Sequence, residues 1–356
     1  MTHSIHAGSP ATTLRRAAIV GWDIGGVNTK AALLDVEGGR PVRARAVSAP
    51  LEMERDSVLL VPTLRRLAQS LGGDAATHAV TMTAELSQAF RTKREGVAFV
   101  LDALAEAFPG EPVKVYTVEG RFLGAEEARA RPLEVAAANW AGTARLVGRF
   151  LPDCILMDIG TTSTDIIPIV AGEPACAGRT DPERLLSGEL VYTGALRTPV
   201  EVVARAVPLW GGLCPLAAER FALIGDALLW LGALEPKDYS AVPPDGRPAT
   251  REFAGERLAR SVCADREMLD EEAIGAIAQA LAEAQVVQVT DALRRVRERH
   301  PGLRAAVVAG LGDFIAAEAA RRLRLEVARL ADRLGEAARM APAAAVAWLL
   351  ADTTTG

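Results

Sequence analysis

Two stretches decide how this chain folds: Asp23-Ile24-Gly25-Gly26-Val27-Asn28-Thr29-Lys30 and Asp158-Ile159-Gly160-Thr161-Thr162-Ser163-Thr164-Asp165. Aspartate, isoleucine and glycine coincide, Thr29 aligns with Thr164, and Lys30 stands where the second copy has Asp165. Each copy ends one apolar run and opens another, the pattern of two strands joined by a tight glycine turn. One glycine hairpin is common structural punctuation. Two copies, each opening its own half of the chain, point to a duplicated unit.

The flanking pattern repeats as well. In the first half, strands are expected at 17–23, 30–34 and 42–48, the last after a Gly38-Gly39 turn. Helical spacing runs from Met53 to Leu71, a buried strand covers 79–82, and a helix from Lys93 to Phe108 stops at Pro109-Gly110. A strand at 113–118 and a mostly helical stretch at 125–150 follow. The scheme restarts with strands at 155–158, 163–170 and 173–177, then a helix at 271–299, a strand at 305–309 and a helix at 314–323. A last strand is expected at 325–330, with a closing helical region at 335–350 restarted at Pro342. The chain reads as a disordered tail (1–14), a first α/β lobe (15–150) and a second (151–356). The second lobe carries an insertion at about 178–268, with Gly211-Gly212 and a proline-rich loop at 242–246. Each lobe should hold a mixed five-stranded sheet flanked by helices.

Bulk composition narrows the function. The chain has 356 residues, half of them hydrophobic and 24% charged, so two domains can each bury a core. The net charge of −5 is spread out, and only 4% of residues are aromatic, which excludes basic or stacking surfaces for nucleic acid. Four scattered cysteines and four histidines form no zinc-ligand spacing and fit a reduced, cytoplasmic setting. No apolar run is long enough to cross a bilayer, and the first residues have no signal-peptide core. Small-molecule substrates are the partners expected.

The hairpins carry the chemistry. Gly25, Gly26 and Gly160 should permit unusual backbone angles and let main-chain N–H groups approach an anion. Asn28, Thr29, Thr161, Thr162, Ser163 and Thr164 would add hydroxyl or amide donors, and Lys30 a point charge, for a phosphate or diphosphate. Asp23 and Asp158, at the strand ends, are candidate Mg²⁺ carriers through water. A third element, Ala306 to Phe314, is an apolar strand ending in Gly310 and Gly312 just before a helix. Such a turn can approach a phosphorylated ligand or be purely structural. Asp158, Glu85 and Asp165 are the candidate bases, with exposed capping as the alternative role for Glu85. Arg197, with Thr193 and Gly194 just before it, is a candidate for substrate carboxylates or diphosphate, or for an inter-lobe salt bridge. Cys263 reads as a buried structural thiol, and Trp210 and Trp230 as core or lobe packing.

These elements resemble the superfamily of actin, sugar kinases and heat-shock chaperones, and especially its hydantoinase/oxoprolinase branch. The resemblance implies RNase H-like lobes, with the glycine turn beside a nucleotide or its equivalent. Several strings are similar to the tetrahydromethanopterin-linked one-carbon proteins of methanofuran biosynthesis: Gly21 to Lys30, Thr81 to Leu86, Lys93 to Val97, Asp158 to Asp165, Ser187 to Val200 and Cys263 to Asp265. Val27 departs from the smaller residue expected there. The resemblance implies a transferase that condenses an aminomethylfuran-methyl diphosphate with the phenol of a γ-glutamyl-tyramine or tyrosine-like acceptor. An aryl ether forms and diphosphate leaves, with Mg²⁺ as the candidate cofactor and no ATP required. The alternatives are an ATP-dependent small-molecule kinase or ATPase of the same fold, and a non-catalytic nucleotide-gated clamp.

Overall fold

A computed structural model of the chain describes residues 16–37, 40–72 and 77–353. The expected tail and the Gly38-Gly39 turn lie outside the described residues. Strands β1 (Arg16–Ile24), β2 (Asn28–Glu37), β3 (Arg40–Pro50), β4 (Thr77–Met82), β5 (Val113–Tyr116) and β6 (Phe122–Gly124) build the first sheet, ordered β3-β2-β1-β4-β5-β6. The second half supplies β7 (Cys154–Ile159), β8 (Thr164–Val170), β9 (Glu173–Pro174) and β10 (Leu190–Val191). A separate ribbon, β11 (Ala206–Leu209) with β12 (Gly212–Pro215), precedes β13 (Ala305–Ala309) and β14 (Glu326–Arg329). The second sheet runs β10-β8-β7-β13-β14, with β9 also paired to β8.

Directions match between the halves. β1 is antiparallel to β2 and parallel to β4, as β7 is antiparallel to β8 and parallel to β13. Each sheet has six strands where five were expected. The additions are short: β6 extends one edge of the first sheet, and β10 shares the edge of β8 with β9.

Prolines explain where helical stretches divide. The expected Met53–Leu71 helix restarts at Leu60, because Pro62 has no N–H to continue a helix but fits a first turn. The 125–150 stretch splits into Ala125–Ala130, Pro132–Val135 and Asn139–Gly148, with Ala137 left-handed (φ 50°) before the last. Pro342 sits in the first turn of the Ala341–Thr353 helix, after a 3₁₀ segment at Gly335–Met340.

Two of these helices exchange sides. The Asn139–Gly148 helix, from the first half, packs on β7, β8 and β9, whereas the Ala341–Thr353 helix packs on β1, β2 and β4. They also touch each other, so one continuous core joins Ile19 and Leu34 to Trp140, Leu156, Ile167 and Val346. A Cβ at Gly21 would overlap the Ala343 carbonyl, so glycine there lets the alanine-rich helix lie directly on β1. The sheets are thereby held with their hairpin ends facing one another.

The insertion has its own small core, in which Trp230 packs with Leu258, Ile274 and Ile277. Trp230 is buried as expected, with Arg251 stacked 3.8 Å above it. Trp210 is not core: it stands 72% exposed at the tip of the β11–β12 ribbon in a left-handed conformation. Cys263 is likewise exposed rather than buried, because it lies in a left-handed turn that closes the Arg251–Arg260 helix.

Candidate active site

Both hairpin turns open into one cavity of about 350 Å³ between the lobes. Asp23, Gly25, Gly26, Asn28 and Lys30 line one wall, and Asp158, Gly160, Thr161, Thr162, Ser163 and Asp165 line the other. The registers correspond: Asp23 lies across from Lys30 in the β1–β2 ladder, and Asp158 across from Asp165 in the β7–β8 ladder.

The turn glycines work differently from expectation. None of Gly25, Gly26 and Gly160 adopts the left-handed region. A Cβ at Gly25 would come within 2.8 Å of the Asn28 carbonyl, which the turn needs as acceptor for the Gly25 N–H. At Gly26 a Cβ would meet nothing within 4 Å, leaving bare backbone open to a ligand. Thr29 and Thr164 do not line the cavity. Both are fully buried beneath the turns, and the Thr164 hydroxyl donates to the Thr193 carbonyl at 2.6 Å. Thr193 and Gly194 back the second turn: a Cβ at Gly194 would strike the Thr162 backbone at 2.5 Å. Gly310, at φ 85°, packs against Asp158 and the Ile159 carbonyl, and Gly312 against Ile159. These residues shape the second hairpin from behind.

Charge is unevenly distributed. Lys30 Nζ donates to Asp23 Oδ2 at 3.2 Å. Burial pulls the Lys30 pKa down, but Asp23, Asp158 and Asp165 outweigh it and hold the ammonium charged. Burial, with Asp165 and Asp23 nearby, pushes Asp158 up to about 7 against the opposing effect of Lys30. Asp165 is also raised by burial, although Arg184 donates to its carboxylate at 2.6 Å. Glu85 is buried, not exposed, and burial lifts it to about 7 despite Lys93 at 3.9 Å.

Several cavity residues were not anticipated. Arg184 is fully buried, stacks 4.3 Å over Trp140 and anchors Asp165. Glu52 receives Arg197 at 3.2 Å, so the expected inter-lobe salt bridge exists at the rim of the cavity. Lys93 donates to Asp181 at 2.7 Å and forms a second tie between the halves. A capping box at Thr180 and Glu183 starts the helix that carries Arg184, but that motif does not say which face Arg184 takes.

The cavity is acidic: Asp23, Glu52, Glu54, Glu85, Asp158, Asp165 and Asp181 line it, against Lys30, Arg184 and Arg197. Among the described residues no three carboxylate, imidazole or thiol groups form a metal cage. Asp23 Oδ1 is nevertheless buried without a hydrogen-bond partner and faces the cleft from the strand end. This donor set fits a Mg²⁺-like ion that keeps water and takes its remaining ligands from a bound phosphate.

With this geometry in view, residues 76–353 match the hydantoinase/oxoprolinase family profile. The chain belongs to that family. A Methanocaldococcus jannaschii protein, named (4-{4-[2-(gamma-L-glutamylamino)ethyl]phenoxymethyl}furan-2-yl)methanamine synthase, is 37% identical over 302 residues, covering 85% of this chain and 88% of the relative. A Methanococcus vannielii protein of the same name is 34% identical over 171 residues, covering 48% of this chain and 76% of its own. Within the hydantoinase/oxoprolinase family, the chain groups with these furan methanamine synthases. Nucleotide-free acetone carboxylase superposes with a TM-score of 0.59 at 13% identity, covering 94% of this chain and 70% of that one. The two-sheet α/β fold is therefore one shared with acetone carboxylase. No described helix is long and apolar enough to cross a membrane.

Proposed function

We propose that this chain is a transferase of methanofuran biosynthesis. It joins an aminomethylfuran-methyl diphosphate to the phenol of a γ-glutamyl-tyramine or tyrosine-like acceptor. The observation that carries the reading is the 37% identity to a synthase named for this aryl ether, extending over 85% of the chain. The paired hairpins facing one cavity give the leaving diphosphate a place to rest.

In the reaction, the bond between the furan CH₂ and the diphosphate oxygen breaks, and its electron pair leaves with diphosphate. The phenolic oxygen forms the new C–O bond. Its proton passes to the protein. The ring oxygen of furan stabilises positive charge on that CH₂, so the enzyme's main tasks are to stabilise the leaving group and position the phenol. The backbone at Gly26 and Gly160, with Lys30, receives the diphosphate. Asp23 would hold Mg²⁺ through water and so offset the excess of carboxylates around a polyanion. A phenol of ordinary pKa, about 10, needs a base available near neutral pH. Asp158, held at about 7, suits that role. Arg197 at the rim is suited to the glutamyl carboxylate, in exchange for Glu52. The chain works in the cytoplasm on small molecules and uses no nucleotide.

Purified protein, the furan diphosphate, Mg²⁺ and the glutamylated tyramine, incubated without ATP, should yield the coupled ether and one diphosphate by mass spectrometry. Ether formation only when ATP is added, or ADP release with no ether, would replace this reading with a kinase or ATPase.

A further inference from the structure

Glu85 is a buried carboxylate whose nearest donors are the Lys93 ammonium and the backbone N–H groups of Glu85 and Ala137. It sits in the 3₁₀ turn Ala84–Leu86 that follows β4, and neither oxygen has a hydrogen bond of good geometry. The surrounding packing has brought it there deliberately close: a Cβ on Gly96, in the Lys93–Ala107 helix, would overlap the Glu85 backbone. The groups facing it are Lys93 from that helix, Asp181 from the Asp181–Ser187 helix, and the backbone of left-handed Ala137. Lys93 stands 3.9 Å away, beyond hydrogen-bonding distance, with its ammonium on Asp181. A buried acceptor left this way is destabilising until a donor reaches it. Such an acceptor, lining the wall of a cavity, matches a cationic donor brought by the ligand.

We propose that Glu85 is the receptor for the primary ammonium of the furan donor, and so a specificity-determining residue. The inference rests on the reading above, in which the donor carries the methanamine group printed in the relatives' name. The acceptor's glutamyl end also bears an ammonium, but it lies at the far end of a long molecule. The donor is a short, rigid ring with its diphosphate at one side and the amine at the other. Glu85 lines the same cavity as both hairpins, two residues past Thr83, whose N–H donates to the Ile24 carbonyl beside the first turn. Binding draws Glu85 into its ionised form, so the complex releases a proton near neutral pH.

The test compares the aminomethyl donor with an analogue bearing methyl in place of CH₂NH₃⁺, using wild type and Glu85→Gln, with melting curves confirming that both are folded. The expected result is a rise in KM for the aminomethyl donor on the order of 10- to 100-fold in Glu85→Gln, with kcat little changed. The methyl analogue should be handled alike by both proteins. Equal loss of kcat with both donors would make Glu85 a base and overturn the proposal, as would an unchanged KM. Calorimetry with (aminomethyl)furanmethanol and its methyl counterpart reads the same contact without turnover. If wild type couples neither donor but binds the amine through Glu85, the reaction fails and this inference stands. If wild type shows no preference for the amine, the inference fails whatever the reaction.

Discussion

The two hairpins share a backbone and differ in what faces each aspartate across the ladder. Asp23 has Lys30 opposite it, and Asp158 has Asp165. Opposite charges at such positions attract and like charges repel. In the first hairpin the pair closes into a 3.2 Å contact. In the second, burial first and the Asp165 charge next push the Asp158 carboxyl to about 7, while Arg184 pairs with Asp165. Duplication thus supplies two matching sites, and one exchanged residue lets them do different work. The lysine-bearing copy suits anion binding, and the aspartate-bearing copy suits proton transfer.

The largest effect should come from removing the proton acceptor. Asp158→Asn is expected to lower kcat by about 10²- to 10⁴-fold. Asp23→Asn should instead raise the Mg²⁺ concentration required, as read by a metal titration of initial rates. If both variants responded alike, the division of labour would be wrong.

Glycine substitutions separate the turns next. Gly25→Ala forces a Cβ against the Asn28 carbonyl and should cost about 1–3 kcal/mol in a urea melt. Gly160→Ala meets only the Ser163 carbonyl at 3.7 Å and should cost a few tenths of that.

Asp165→Asn sharpens the electrostatic contrast. Asp158 must be ionised to accept a proton, so kcat/KM should rise with pH through about 7 in the wild type. Removing the like charge lowers that pKa, although burial still raises it. The acid limb of the profile should move down by about one unit or more. A limb that stayed in place would assign it to another group.

The smallest difference concerns the aligned threonines. The Thr164 hydroxyl has a 2.6 Å acceptor, and its loss in Thr164→Val should cost about 1 kcal/mol. The Thr29 hydroxyl is buried without a partner, so Thr29→Val should be neutral or slightly stabilising by the same denaturation measurement.

Much of the fold was legible because the relevant signals are local. The strand periodicity, the glycine turns and the repeat each needed only a few consecutive residues. The site was legible to the extent that it lies in those turns. Arg184, Glu52 and Asp181 reach the cavity through tertiary contacts that no spacing in the sequence encodes. Thr29 and Thr164 were misplaced for a related reason: alternation puts every second side chain on the far face, and the turn's conformation decides which. The insertion was the least legible part. Its Ile224–Trp230 helix is buried on every side, so it has no amphipathic stripe to read.

The exchanged helices also bear on how the polypeptide is born. β1, β2 and β4 leave the ribosome long before the Ala341–Thr353 helix that will cover them. One face of the first sheet must therefore wait bare, or under a chaperone, until residues 341–353 have been made, and the halves cannot mature one after the other as separable domains do.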